Sequence, residues 1–172
     1  MLQRDRLDSM ELLLQRVKVL VTDFDGVHTD NSVYMDESGR EAVRCSRADG
    51  QGVDLLRDLG IPVLILSREP NPVVAARAAK LRVEVIHDCK DKLGTLRNWL
   101  ADRGVDLSDI AYVGNDVNDL KCLEAAGISF VPADGHPDVL HAGLRLQARG
   151  GHGAVREVCD LLLRSRLSSK RR

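Results

Sequence analysis

Short apolar runs alternate along this chain with segments whose apolar residues recur every three or four positions. The runs VKVLVTDF (17–24), IPVLILS (61–67), VEVIH (83–87), IAYVG (110–114) and ISFVP (128–132) are rich in β-branched residues and too short for buried helices, so they predict strands. The segments between and around them predict helices near 49–59, 71–80, 91–103 and 116–126, with a leading helix near 9–16 and a closing one near 152–165. Near-continuous apolar strands separated by helices mark a parallel sheet covered on both faces, an α/β three-layer sandwich. One stretch breaks the rhythm. SVYMDESGREAVRC alternates on both sides of Glu37-Ser38-Gly39, which predicts a β-hairpin within residues 31–47 with its turn at the glycine.

Composition narrows the classes of function. A chain of 172 residues that is 44% hydrophobic can bury a core without staples, so one domain is expected over 1–172, with its core at 17–165 and the hairpin as a flap. The four cysteines, Cys45, Cys89, Cys122 and Cys159, are scattered without CxxC spacing, and the first 30 residues lack the apolar run of a signal peptide. A reduced cytoplasm is the expected compartment. No stretch reaches the roughly 20 apolar residues of a membrane helix, and a net charge of −1 offers no general attraction to nucleic acid. The basic run Lys170-Arg171-Arg172 is read as a solvated tail.

The candidate chemistry lies at strand ends. VLVTDFDGVHTD places Asp23 and Asp25 two residues apart directly after the first strand, with Gly26 freeing the backbone for a sharp turn. Open parallel sheets bind ligands outside the carboxyl ends of their strands, where strand order reverses. Two carboxylates held together there repel unless a hard divalent cation such as magnesium offsets them. AYVGNDVND supplies a second acidic cluster at the end of the fourth strand. Asn115 and Asp116 leave that strand, and Asp119 falls one helical turn later, placed to turn back to the same site. If the first and fourth strands share one metal they are neighbours, which gives the five strands the order 5-4-1-2-3. Ser67 at the end of the second strand and Lys92 at the start of a helix add a hydroxyl and an ammonium, groups that suit the oxygens of a transferring phosphoryl group.

The set DFDGVHTD, Ser67, Lys92 and GNDVND resembles the four motifs of the haloacid-dehalogenase superfamily, spread over about residues 17 to 165. With only a hairpin after the first motif, the chain resembles the capless branch of deoxyoctulosonate 8-phosphate and nononate 9-phosphate phosphatases. It also resembles the domain fused behind the cytidylyltransferase in some sialic acid activating enzymes. The resemblance implies Asp23 as the nucleophile that forms an aspartyl-phosphate, Asp25 as general acid and base, and Ser67 and Lys92 as holders of the phosphoryl oxygens. It places magnesium on the Asp23 carboxylate, the Asp25 backbone carbonyl and the fourth motif, with Asp119 and Gly26 in support. There the chain departs from the common Gly-Asp form: it has Gly114-Asn115, so the direct ligand is either Asn115 or Asp116.

A second departure bears on substrate. Deoxyoctulosonate phosphatases usually follow the second motif with Gly-Arg and have Arg-Asp-Gly after the hairpin, whereas this chain has Arg68-Glu69 and Ala48-Asp49-Gly50. Glu69, Arg77 and Lys80 resemble the nononate-phosphate pattern instead, with Arg77 and Lys80 three apart on one helix face, suited to a sugar carboxylate. The expectation is a magnesium-dependent phosphatase of a nine-carbon α-keto acid 9-phosphate. The alternatives are a deoxyoctulosonate 8-phosphate phosphatase, or a weakly active oligomerisation domain associated with a sialic acid cytidylyltransferase. A homotetramer is expected, its hairpins closing neighbouring active sites, because apolar Val33, Tyr34, Met35, Ala42 and Val43 are costly to leave in water.

Overall fold

The strand runs become a six-stranded, all-parallel sheet in the order β5-β4-β1-β6-β7-β8. A computed structural model describes residues 2–169, the first seven of them as backbone only; the run 170–172 lies outside the described residues. The strands are β1 (Val19–Thr22), β4 (Val63–Leu66), β5 (Glu84–Ile86), β6 (Ile110–Val113), β7 (Ile128–Val131) and β8 (Leu144–Arg145). Numbered as the five expected strands, this is 5-4-1-2-3 read from the far edge, with β8 added beside β7. The sixth strand escaped sequence reading because it is two exposed residues long, too short to show a period. β1 and β6 pair directly, Val19 with Ile110 through Thr22 with Val113, so the first and fourth motifs leave the sheet side by side.

Alternate side chains on each strand face opposite ways. Leu20, Ile65, Ala111, Val113 and Phe130 pack on one face against the helices α2 (Arg47–Asp58), α3 (Val73–Leu81) and α6 (Ala154–Ser169), with Leu14 of α1 (Leu2–Arg16). Val19, Val21, Leu64, Leu66, Ile110 and Tyr112 pack on the other against α4 (Lys92–Ala101) and α5 (Leu120–Ala125). The helix expected near 116–126 is shorter and begins as a 3₁₀ turn over Val117–Asp119. The reason is local: Asp116 and Asp119 satisfy each other's end of that turn as a capping box, which favours a tight first turn.

The hairpin forms where alternation placed it, with β2 (Tyr34–Met35) antiparallel to β3 (Glu41–Ala42). Its turn is closed by Asp36, whose Oδ1 accepts from the amides of Ser38 and Arg40 at 2.9 and 3.0 Å, while Gly39 takes φ +78°. Val33, Tyr34 and Met35 are exposed, and Val43 and Cys45 pack against the core at its base.

Candidate active site

Asp23 is the first residue beyond β1, and its amide continues the ladder by donating to Val113 O at 2.8 Å. The chain then coils tightly, with Phe24 O accepting from the amides of Val27, His28 and Thr29 at 3.2, 2.8 and 3.3 Å. Gly26 makes this coil possible. It takes φ +74°, and a Cβ there would lie 2.0 Å from Asn115 Nδ2. Thr29 Oγ1 accepts from Gly26 N at 3.2 Å and donates to Asp25 Oδ1 at 3.4 Å, so the turn itself orients the second carboxylate.

The two acidic motifs meet through one ammonium. Lys92 Nζ donates to Asp23 Oδ1 at 2.8 Å and to Asp119 Oδ1 at 2.7 Å, all three groups being buried. Asp119 turns back as its spacing required: Oδ1 also accepts from Tyr112 OH at 2.8 Å, and Oδ2 from Asn115 N at 3.0 Å and Asp116 N at 3.4 Å. Its lone pairs are thus consumed in holding Lys92 and the fourth-motif loop. Asp23 Oδ1 is likewise held, by Lys92 and by Phe24 N at 2.7 Å, which leaves Oδ2 without a hydrogen bond among the described residues.

That oxygen belongs to a residue lining a cavity of about 290 Å³, together with Asp25, Ser67, Arg68, Glu69 and Asn118. Volume alone would choose a groove of about 810 Å³ between α1, α5 and β8, but that groove brings no comparable cluster of carboxylates, hydroxyl and ammonium together. Ser67 is fixed by its backbone, its amide donating to Ile86 O at 2.9 Å and its carbonyl accepting from Cys89 N at 3.0 Å, and its hydroxyl accepts from Glu69 N at 3.1 Å.

Electrostatics follow from burial and charge. Burial, then the charge of Asp119, push the Asp23 carboxyl well above the usual carboxylate range, with Lys92 pulling it back. Burial, then Glu69, raise Asp25 as well. Burial works against the charge of Lys92, yet Asp23 and Asp119 together hold its pKa above the ordinary lysine value. One ammonium therefore faces two buried carboxylates, an arrangement with room for further positive charge. Asn115 Oδ1 is buried with no hydrogen-bond partner and its amide presses on Gly26. A buried amide oxygen without a partner, beside the acidic end of the cavity, is a hard oxygen donor of the kind a divalent cation takes, so the residues present fit such an ion.

Of the residues singled out from sequence, Asp23, Asp25, Ser67 and Glu69 line one cavity, and Lys92, Asn115, Asp119 and Gly26 pack around its acidic end. Asp116 is turned to local use, its Oδ1 accepting from Val117 N at 2.6 Å. Arg77 and Lys80 do share one helix face, but they line a separate depression with Arg47, Cys45 and Arg82, where Arg77 donates to Ser46 O at 2.8 Å. Sequence reasoning missed Thr29, Tyr112 and Asn118. Thr29 sits within the quoted first motif, four residues after Asp25, so a turn closing on itself was a signal that could have found it. Tyr112 read only as a core strand residue.

Known proteins share this fold and sequence pattern. Residues 65–144 match the family model described as haloacid dehalogenase-like hydrolase. The 3-deoxy-D-manno-octulosonate 8-phosphate phosphatase of Escherichia coli is 33% identical over 151 residues, which are 87% of this chain and 80% of the relative. N-acylneuraminate cytidylyltransferase A of Danio rerio is 34% identical over 161 residues, 90% of this chain, which spans 37% of that relative's length. The crystal structure of the octulosonate 8-phosphate phosphatase from Moraxella catarrhalis, in complex with magnesium ion, phosphate ion and a KDO molecule, superposes with a TM-score of 0.89 at 27% identity, covering 96% of this chain and 99% of that one. The chain belongs to the haloacid dehalogenase-like hydrolases and is a phosphoric monoester hydrolase of that family.

Proposed function

We propose that this chain hydrolyses the phosphate monoester of an α-keto sugar acid with Asp23 as nucleophile. The observation that carries the reading is the asymmetry of Asp23: one carboxylate oxygen is held by Lys92 and Phe24 N, and the other is left free on a residue that lines the cavity with Asp25 and Ser67. In the first half of the reaction the free oxygen attacks phosphorus. The ester oxygen departs and takes its proton from Asp25, leaving an aspartyl-phosphate. In the second half Asp25, now a carboxylate, takes a proton from water as it attacks the phosphoryl group, and phosphate leaves with the Asp23 carboxylate restored. Ser67 and Lys92 hold the phosphoryl oxygens, and Asp119 with Tyr112 keeps the ammonium aimed. A divalent cation, magnesium by the chemistry of the donors, would be held by the Asp23 carboxylate, the Asp25 carbonyl and Asn115, and would supply charge neutralisation for the phosphoryl oxygens.

The nine-carbon 9-phosphate is the reading the sequence pattern of Glu69, Arg77 and Lys80 proposes, although of these three only Glu69 lines the reaction cavity within this chain. The eight-carbon 8-phosphate is a second reading, favoured by the phosphatase relatives and by the KDO molecule in the Moraxella structure. Phosphate release from both esters, with magnesium and then with excess EDTA, tests the proposal. Turnover of a sugar-acid ester that stops with EDTA and returns with magnesium is expected. A folded protein releasing phosphate from neither ester contradicts it and favours the oligomerisation role beside a cytidylyltransferase.

A further inference from the structure

Charge is segregated around the reaction cavity. Its own walls carry three carboxylates, Asp23, Asp25 and Glu69, against the single cation Arg68. Directly beside it lies a second cavity of about 200 Å³, lined by Lys90, Lys92, Lys121 and Arg68 with Asp91 and Asn118 among its other walls. Arg68 and Asn118 border both cavities, so the two abut there.

The cations of this second cavity have little acid to answer them. Lys92 is committed to Asp23 and Asp119. Asp91, the only acid of the second cavity, is occupied as the cap of α4, its Oδ1 accepting from Gly94 N at 3.1 Å. The side chains of Arg68, Lys90 and Lys121 are exposed and make no ion pair or hydrogen bond among the described residues. At the shared border Asn118 Oδ1 is buried without a hydrogen-bond partner among the described residues. Three like charges around one small hollow repel one another until an anion arrives. Arg77 and Lys80, the cations that sequence reasoning assigned to the substrate carboxylate, line a depression that shares no residue with the reaction cavity.

We propose that the second cavity is an anion subsite that takes the carboxylate of the substrate, with Arg68, Lys90 and Lys121 as the residues that select an acid over a neutral sugar phosphate. The inference rests on the phosphatase reading and adds the groups that read the substrate's second charge. Arg68, at the border, offers a guanidinium fork suited to bidentate recognition of a carboxylate. Lys90 and Lys121 contribute compact charges from the other walls.

The test uses the full chain with magnesium and two esters: an α-keto sugar acid phosphate, and the same compound with the carboxylate reduced to an alcohol. The quantity read is the ratio of kcat/KM for the acid to kcat/KM for the alcohol. The double variant Lys90→Gln/Lys121→Gln is expected to lower that ratio about tenfold, through KM of the acid, because each solvent-exposed contact contributes modestly. Arg68→Gln is expected to lower it further, and Lys90→Arg/Lys121→Arg to restore it. A ratio within about twofold of wild type in the double variant, or an equal loss on both esters, overturns the subsite, the latter meaning general attraction of phosphate. Wild-type protein that turns over neither ester overturns the phosphatase reading and the subsite with it.

Discussion

At the scale of single residues, the distinguishing feature is the amide that stands where related motifs usually carry a carboxylate. Asn115 Oδ1 is buried and unpartnered beside Gly26, and as a neutral amide it brings no charge to the proposed cation site next to the Asp23–Lys92–Asp119 cluster. Affinity for a hard cation rises with the number of anionic ligands. Asn115→Asp is therefore expected to lower the magnesium dissociation constant by about tenfold, measured by calorimetric titration. An unchanged or weaker affinity would mean that Asp116 is the ligand, or that the loop is built around the amide. The placement of these residues was legible where spacing does the positioning: Asp23 with Asp25 across one turn, Asp119 with Asn115 across another. Tyr112 was not legible, because a buried aromatic on a strand reads as packing until the carboxylate it donates to is seen.

At the scale of elements, the sheet was readable from sequence because hydrophobic period and strand-end chemistry pointed the same way. Pairing β1 with β6 follows from asking both acidic motifs to share a site. What sequence could not show is which helix faces which cavity. Arg77 and Lys80 have the spacing to share a face and do so, but α3 carries that face toward the hairpin base rather than toward Glu69. Among the described residues the most extensive helix contact is between α2 and α6, and Gly52 lies within it. A Cβ there would meet Cys159 Cβ at 2.9 Å and Arg156 Cδ at 3.1 Å. In an exposed helix Gly→Ala stabilises by about 1 kcal/mol. Here overpacking is the larger effect, so Gly52→Ala is expected to lower stability by about 1–3 kcal/mol in urea unfolding. A gain in stability would show that the helices can part without penalty.

At the scale of the whole molecule, the unpaired apolar surface of the hairpin is the largest feature left to explain. Val33, Tyr34 and Met35 stand 53, 67 and 65% exposed on a two-residue ladder, too short to be held by its own hydrogen bonds. Glu41 Oε2 accepts from Asn71 Nδ2 at 3.1 Å, which joins β3 to the rim beside Glu69. An apolar edge beside the site suits association with further copies of the chain, and the proposed assembly is a tetramer whose hairpins cover neighbouring sites. Light scattering is expected to report four times the 19.0 kDa chain, and replacing residues 33–43 by a short turn is expected to dissociate it and reduce activity. A fully active monomer at micromolar concentration contradicts this.

The central claim is that Asp23 is the covalent nucleophile. Its most direct test is rapid-quench mass spectrometry during turnover of a sugar-acid phosphate. The account predicts a transient mass increase of one phosphoryl group on the peptide carrying Asp23, absent in a folded Asp23→Asn protein that also releases no phosphate. Turnover by Asp23→Asn at a rate comparable to wild type, or a phosphoryl group trapped on any other residue, would contradict it.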